Sequence, residues 1–335
     1  MPPTSATQPV DPTSGGPGAD WAPFKPGPWV VPESPGFAHL LAKLPGLPAV
    51  VFAHRDLVFS AVVRELRARF QGTLLGWLWP LVYPIFMFGV YYFIFAELLQ
   101  VKMPNITPEQ KPAMGIFMFV GVVVWTGFAE GVLRAGNVIV ENGNLIKKLS
   151  FPTELLPLNV VLVSLTTMMF GVGIFVAVLW LSIAGRELGI FETALWPDAP
   201  GIGLLWIPVL LVVQLLFTYG LGLILATMQV FLRDTMQLAS ILVLTWMFVT
   251  PVFWVASEKV IPGISPYLDT LALNPLLHLL NCWRHVLMVA QPAIAFDGQP
   301  AFLHSLGVFA TCGAVLFVVG YLFFLRSQRR FADEV

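Results

Sequence analysis

Few side chains in this 335-residue chain are placed to do chemistry, and those that are carry charge rather than nucleophiles. Arg64, Arg67 and Arg69 stand immediately before 27 residues, Phe70 to Ala96, that hold no charge. Guanidinium groups at such a junction lie at the level of lipid phosphates, whose oxygens a planar fork can grip two at a time. Generic attraction to an anionic lipid surface accounts for the same residues. Glu130 precedes Arg134 by four positions, the favoured order for an ion pair along a helix. An interfacial pair and a role in gating or headgroup contact both fit that spacing.

The usual catalytic patterns are missing. No G-x-x-x-x-G-K followed by Ser or Thr occurs, so no P-loop can cradle nucleotide phosphates, and neither G-x-S-x-G nor H-E-x-x-H is present. His278 and His285 are seven apart, two turns rather than the one turn of a helical zinc pair. His304 stands alone in an apolar run, where a packed or hydrogen-bonded role is expected. Cys282 and Cys312 lack metal-ligand spacing and read as free thiols acting as small apolar residues. The chain is therefore expected to be no enzyme and to hold no metal or cofactor of its own.

The elements that must position these charges are membrane helices. Hydrophobic residues make up 57% of the chain and charged residues only 11%, against about 25% in soluble domains. A hydrocarbon core of about 30 Å needs about 20 apolar residues as a helix. Charge-free runs near that length fall at Phe70–Ala96, Pro112–Ala129, Leu155–Gly185, Ala199–Leu232, Thr235–Ser257 and Gly298–Leu325, predicting an all-α integral membrane protein with six transmembrane helices. With the N-terminus inside, 13 of the 18 Lys and Arg residues fall on the inner side, which places both ends in the cytoplasm. Before the first span, Phe59, Val63, Leu66 and Phe70 alternate with Ser60, Arg64, Arg67 and Gln71 at helical spacing, predicting an amphipathic interface helix over 54–72.

Between spans five and six, residues 258–300 are apolar enough to suggest a seventh crossing. That crossing would put the arginine-bearing C-terminal tail outside, and Pro262, Pro266, Pro275, Asp269 and Arg284 interrupt the run. An outer re-entrant helix pair fits better, its second helix starting at Asn274 as N-cap and Pro275 as first helical residue. Residues 1–50 hold 12 of the 28 prolines and read as a mobile cytoplasmic arm without a cleaved signal peptide. The permease domain expected from these runs is 51–330, with 331–335 as a cytoplasmic tail. Gly72 and Gly76, and Gly127 and Gly131, have the spacing that lets helices approach closely.

Four stretches then resemble, in order and spacing, one family: RELRARFQGTLLGWLWPLVYPIFMF, NLIKKLSFPTELLPLNVVL, VFLRDTMQLASILVLTWMFVTPVFW and LNPLLHLLNCWRHVLM. They are similar to the type-2 ABC exporter permeases of the O-antigen and polysaccharide export family, with teichoic acid and capsule permeases as relatives. The resemblance covers roughly residues 50 to 325. It implies a homodimer in the bacterial inner membrane, paired with two copies of a separate ABC ATPase that binds the ATP and Mg. It also implies an undecaprenyl diphosphate-linked polysaccharide as substrate, membrane lipids as surroundings, and no nucleic acid. The coupling segment maps onto 137–153, with Asn144, Leu145, Ile146, Lys147 and Lys148 facing the ATPase. Under this reading Arg64, Arg67 and Arg69 meet the lipid diphosphate, and Glu130 and Arg134 form an ion pair or gate.

A glycan too long to be enclosed needs a continuous channel, and the C–H faces of sugars stack on aromatic rings. Tyr83, Tyr91 and Phe253 are the channel candidates, while belt and core roles remain open for rings in these runs and fit Trp77 and Trp79 best. A permease for a smaller lipid or drug, and a glycan-lipid transferase, are the competing classes.

Overall fold

The structure, a computed structural model, describes residues 46–99, 113–148, 152–190, 201–288 and 301–334. Among these residues the regular structure is all helical, with no strand. Most of the arm expected over 1–50, the outer segments 191–200 and 289–300, and residues 149–151 of the coupling segment lie outside the described residues.

Helix α1 (Gly46–Ala53) meets α2 (Arg55–Phe70) at a bend of 68°. A turn and one 3-10 turn lead into α3 (Trp79–Tyr91), which continues as a π-helical stretch over Tyr92–Leu98. The long helices follow: α4 (Ala113–Glu141), the six-residue α5 (Gly143–Lys148), α6 (Leu155–Glu187) and α7 (Ile207–Phe231). Then come α8 (Thr235–Val249), α9 (Ser265–Leu271), α10 (Pro275–Leu287), α11 (Phe302–Ser327) and the terminal turn α12 (Phe331–Glu334).

Among the described residues, four segments are long and apolar enough to cross a membrane: Met114–Glu141, Leu155–Glu187, Ile202–Phe231 and Phe302–Arg330. They coincide with expected spans two, three, four and six. Counting the bent α1–α2 pair as one span would raise the number to five. Expected spans one and five take a different form. Pro84 inside α3 removes a backbone donor, and the helix loosens to π geometry eight residues later. The 15 residues of α8 reach only about 22 Å at 1.5 Å per residue, short of a full hydrocarbon core. Thr250 and Pro251, where the chain turns extended, end that helix.

The core is a bundle of α4, α6, α7 and α11, with α10 laid against α11 and α4. Glycine permits the closest crossings. A Cβ on Gly127 would stand 2.8 Å from the Met168 side chain, and one on Gly131 would stand 2.8 Å from the Thr218 methyl. Both glycines therefore seat α4 against its neighbours, as their spacing predicts. Gly220 of α7 and Gly320 of α11 bring two backbones into direct contact, a crossing the sequence reading missed. Gly72 and Gly76 correct the other expectation: their φ values of 75° and 48° build the turn after α2, and nothing lies near their missing side chains.

Candidate functional site

The site is built where α2 lies across α4 and α6. On α2 Val58 and Leu66 are buried and Val62 and Val63 half-buried; Leu66 and Val63 belong to the expected apolar line, whereas its first member, Phe59, is 72% exposed. This orientation turns Glu65 and Arg69 toward the bundle and leaves Ser60, Arg64, Arg67 and Gln71 on the exposed face. Arg69 pairs with Glu130 through Nη2 and donates through Nη1 to the Thr167 hydroxyl at 3.2 Å. Arg134 pairs with Glu65 and also reaches Glu130 at 3.4 Å. Two arginines thus share one oxygen of Glu130, and four charges from α2 and α4 close into a chain. The pair expected along α4 is present, and it is the middle link of a cross-helix network.

Arg69 and Glu130 also line a cavity of about 560 Å³ between α3, α4 and α6. Its other walls are largely apolar, with Met87, Phe119 and Met168 prominent and the hydroxyls of Thr126, Ser164 and Thr167 interspersed. Pro84 and Phe119 are shared with a second, wholly apolar cavity of about 110 Å³ farther along the same helices.

The expected channel residues divide. Tyr91 and Phe253, which are 162 positions apart, come together with ring centroids 6.0 Å apart, and Phe248 joins Phe253 at 6.5 Å. The Tyr83 side chain lies outside the described residues, as does that of Trp77. Trp79 borders the cavity, while Trp246 packs edge-on against Phe128.

The residues expected to meet the ATPase, Asn144 to Lys148, fall in α5. Asn144 and Lys147 are exposed, whereas Leu145 and Ile146 are half-buried against the chain's own core. The Lys148 side chain lies outside the described residues. The C-terminal α12 packs on α5, and its Phe331 is fully buried against Phe324 and Phe231. The end of the chain, expected as a tail, is docked up to that point.

At the opposite end of α4, Asn274 caps α10 as expected, accepting from the Leu276 amide at 3.0 Å. The same side chain accepts from Trp246 Nε1 at 3.0 Å and donates to Thr250 at 2.8 Å, tying α10 to the end of α8. Arg284, expected to break an outer apolar run, is buried over the Phe117 ring at 3.3 Å from its centroid. It donates to the carbonyl of Val252 at 3.1 Å, in the loop just beyond α8. Sequence reasoning missed this role, although an arginine in a run of Leu, Trp and Val was the signal available.

The family model described as "ABC-2 type transporter" matches residues 56–288. The O-antigen export system permease protein RfbA of Myxococcus xanthus is 30% identical over 285 residues, covering 85% of this chain and 97% of that protein. Two proteins of the same name from Klebsiella pneumoniae are 26% and 25% identical over 279 residues, covering 83% of this chain and 94% of each.

Proposed function

The chain belongs to the ABC-2 type transporter family, and from that premise we propose that it is the permease subunit exporting an undecaprenyl diphosphate-linked O-antigen polysaccharide across the bacterial inner membrane. It is a multi-pass membrane protein; the finer reading gives it six crossings, with α3 and its π-helical extension as the first and α8 as the fifth. Both termini are then cytoplasmic. Two copies form the channel, and two copies of a separate ABC ATPase bind ATP and Mg and drive it.

One observation carries this reading: the correspondence with an O-antigen permease runs over 97% of that protein at 30% identity. The geometry supplies matching parts. Exposed Arg64 and Arg67 offer cations to a diphosphate where α2 meets the bundle. Tyr91 and Phe253 join the first and fifth expected spans in one aromatic pair, a surface on which sugars slide without strong directional bonds. α5, braced by α12, presents Asn144 and Lys147 for docking in the ATPase.

Purification of the tagged chain with its cognate ATPase, followed by mass spectrometry of bound glycolipid, tests the reading. A long-chain glycan on polyprenyl diphosphate is expected. Recovery of a short lipid or drug-like molecule alone would support the smaller-substrate permease instead.

A further inference from the structure

We propose that the cavity between α3, α4 and α6 takes one hydrocarbon chain of a phosphate-bearing lipid, whose phosphate replaces Glu130 on Arg69. The proposal deepens the export reading and rests on it for the leaflet from which the lipid comes.

Dimensions give the first argument. Along α4 the cavity runs from Glu130 back to Phe119, eleven residues or about 16 Å of helix. Half of a hydrocarbon core of about 30 Å is about 15 Å, so the cavity is as deep as one leaflet. Polarity gives the second. Charge and hydroxyls gather at the Glu130 end, in Arg69, Glu130, Ser164 and Thr167, and the far end shares Pro84 and Phe119 with the wholly apolar cavity. That is the profile of a headgroup followed by a chain. Interiors are close-packed, and an apolar void of this size binds apolar matter when it is at hand. In a bilayer the matter at hand is hydrocarbon.

The ion-pair chain supplies the exchange. Arg69 has Glu130 and Thr167 as partners, whereas Glu130 has both Arg69 and Arg134. A phosphate that takes Arg69 therefore leaves Glu130 paired with Arg134, and no charge is stranded. Arg64 and Arg67, exposed on the same helix, bias the approach toward anions. Polyprenyl diphosphate and an anionic phospholipid share the required chemistry.

Photo-crosslinking distinguishes them. The chain, assembled with its ATPase in phosphatidylcholine nanodiscs, is photolysed with a chain-diazirine polyprenyl diphosphate, a chain-diazirine phosphatidylglycerol, or a diazirine diacylglycerol lacking phosphate, and labelled peptides are mapped. Labelling at Met87, Phe119 or Met168 by either phosphate probe, at least fivefold above diacylglycerol, is expected. Labelling by the polyprenyl probe assigns the site to the transported lipid, and labelling by phosphatidylglycerol alone assigns it to a bilayer lipid. Thr126→Phe, which fills the cavity from an exposed position, is expected to cut labelling tenfold. Glu130→Gln is expected to raise it, because the competitor for Arg69 is weakened; a merely structural role for Glu130 would not produce a gain. Equal labelling by diacylglycerol, no label in the cavity, or a loss with Glu130→Gln overturns the proposal. If neither phosphate probe labels the cavity and the polyprenyl probe labels only peptides around Arg64 and Arg67, the cavity assignment fails while the export reading stands. Absence of polyprenyl labelling anywhere counts against the export reading as well.

Discussion

Arg69 and Glu130, 61 residues apart in sequence, form an ion pair that closes α2 onto the α4 wall of the cavity. Their side chains are 21% and 35% exposed, so the pair is neither fully screened by solvent nor fully desolvated. Exposed pairs contribute about 0.2 to 1 kcal/mol, and a double-mutant cycle measures the term directly. For Arg69→Ala, Glu130→Ala and the double variant, thermal unfolding in nanodiscs is expected to give a coupling of about 1 kcal/mol. Additivity within about 0.3 kcal/mol would mean that the pair holds nothing together.

At α5, Leu145→Asp and Ile146→Asp are expected to reduce the ATPase recovered per permease about tenfold or more. A leucine-sized contact contributes about 1.5 to 3 kcal/mol, and each 1.4 kcal/mol is tenfold in affinity. Because both side chains are half-buried in the chain itself, the membrane insertion and thermal stability of each variant are measured alongside, and both are expected to hold. Normal ATPase recovery with both apolar variants would remove α5 from coupling.

Phe331 tests the brace behind α5. Its ring is fully buried, with Phe324 at 5.1 Å between centroids. Phe331→Ala is expected to cost about 3 to 5 kcal/mol of local packing. Hydrogen exchange should then accelerate in α12 and α5 together. Acceleration confined to α12 would show that the two do not support one another.

Tyr91→Leu and Phe253→Leu keep apolar bulk but remove flat rings. If the pair lines a glycan path, exported chains shorten or export falls while protein level and ATPase assembly hold. Stacking on aromatic rings is worth about 1 to 3 kcal/mol per contact in the nucleic-acid analogue. A rise in thermal lability matching the loss of export would instead identify the rings as packing.

In the loop before α9, Glu258 accepts from the Ser265 hydroxyl at 2.6 Å, the Gly263 amide at 2.7 Å and the Ser265 amide at 2.9 Å. The Ser265 hydroxyl first, then these amides, hold its carboxyl below the usual range. A depressed value means that the loop's order is fully present above the ordinary carboxylate range and is lost as pH falls through the lowered value. Amide exchange at Gly263 and Ser265 should therefore accelerate only on strong acidification, and Glu258→Gln should abolish that pH dependence. An unchanged profile in the variant would assign the order to the backbone turn alone.

What the sequence made legible was local. Runs without charge marked the four long helices, and Asn274–Pro275 marked the start of α10, because both signals act within a few residues. The Glu130–Arg134 spacing revealed one link of the ion-pair chain. The links to Arg69 and Glu65 depend on how α2 rotates against α4 and α6, and helical periodicity alone allowed an apolar line starting at Phe59 as readily as one starting at Val58. The Gly220–Gly320 crossing joins two helices 100 residues apart, so no short spacing announces it. Gly72 and Gly76 misled for the converse reason: a helix-packing spacing fell in a turn that needs positive φ.

The central claim, export of a lipid-linked O-antigen polysaccharide, is tested most directly by deleting the gene in its native host and following the glycan. The account predicts that long-chain polysaccharide disappears from the cell surface, that polyprenyl diphosphate-linked glycan accumulates on the cytoplasmic face, and that the plasmid-borne chain reverses both changes. Unchanged surface polysaccharide with no lipid-linked accumulation in the deletion strain would contradict it.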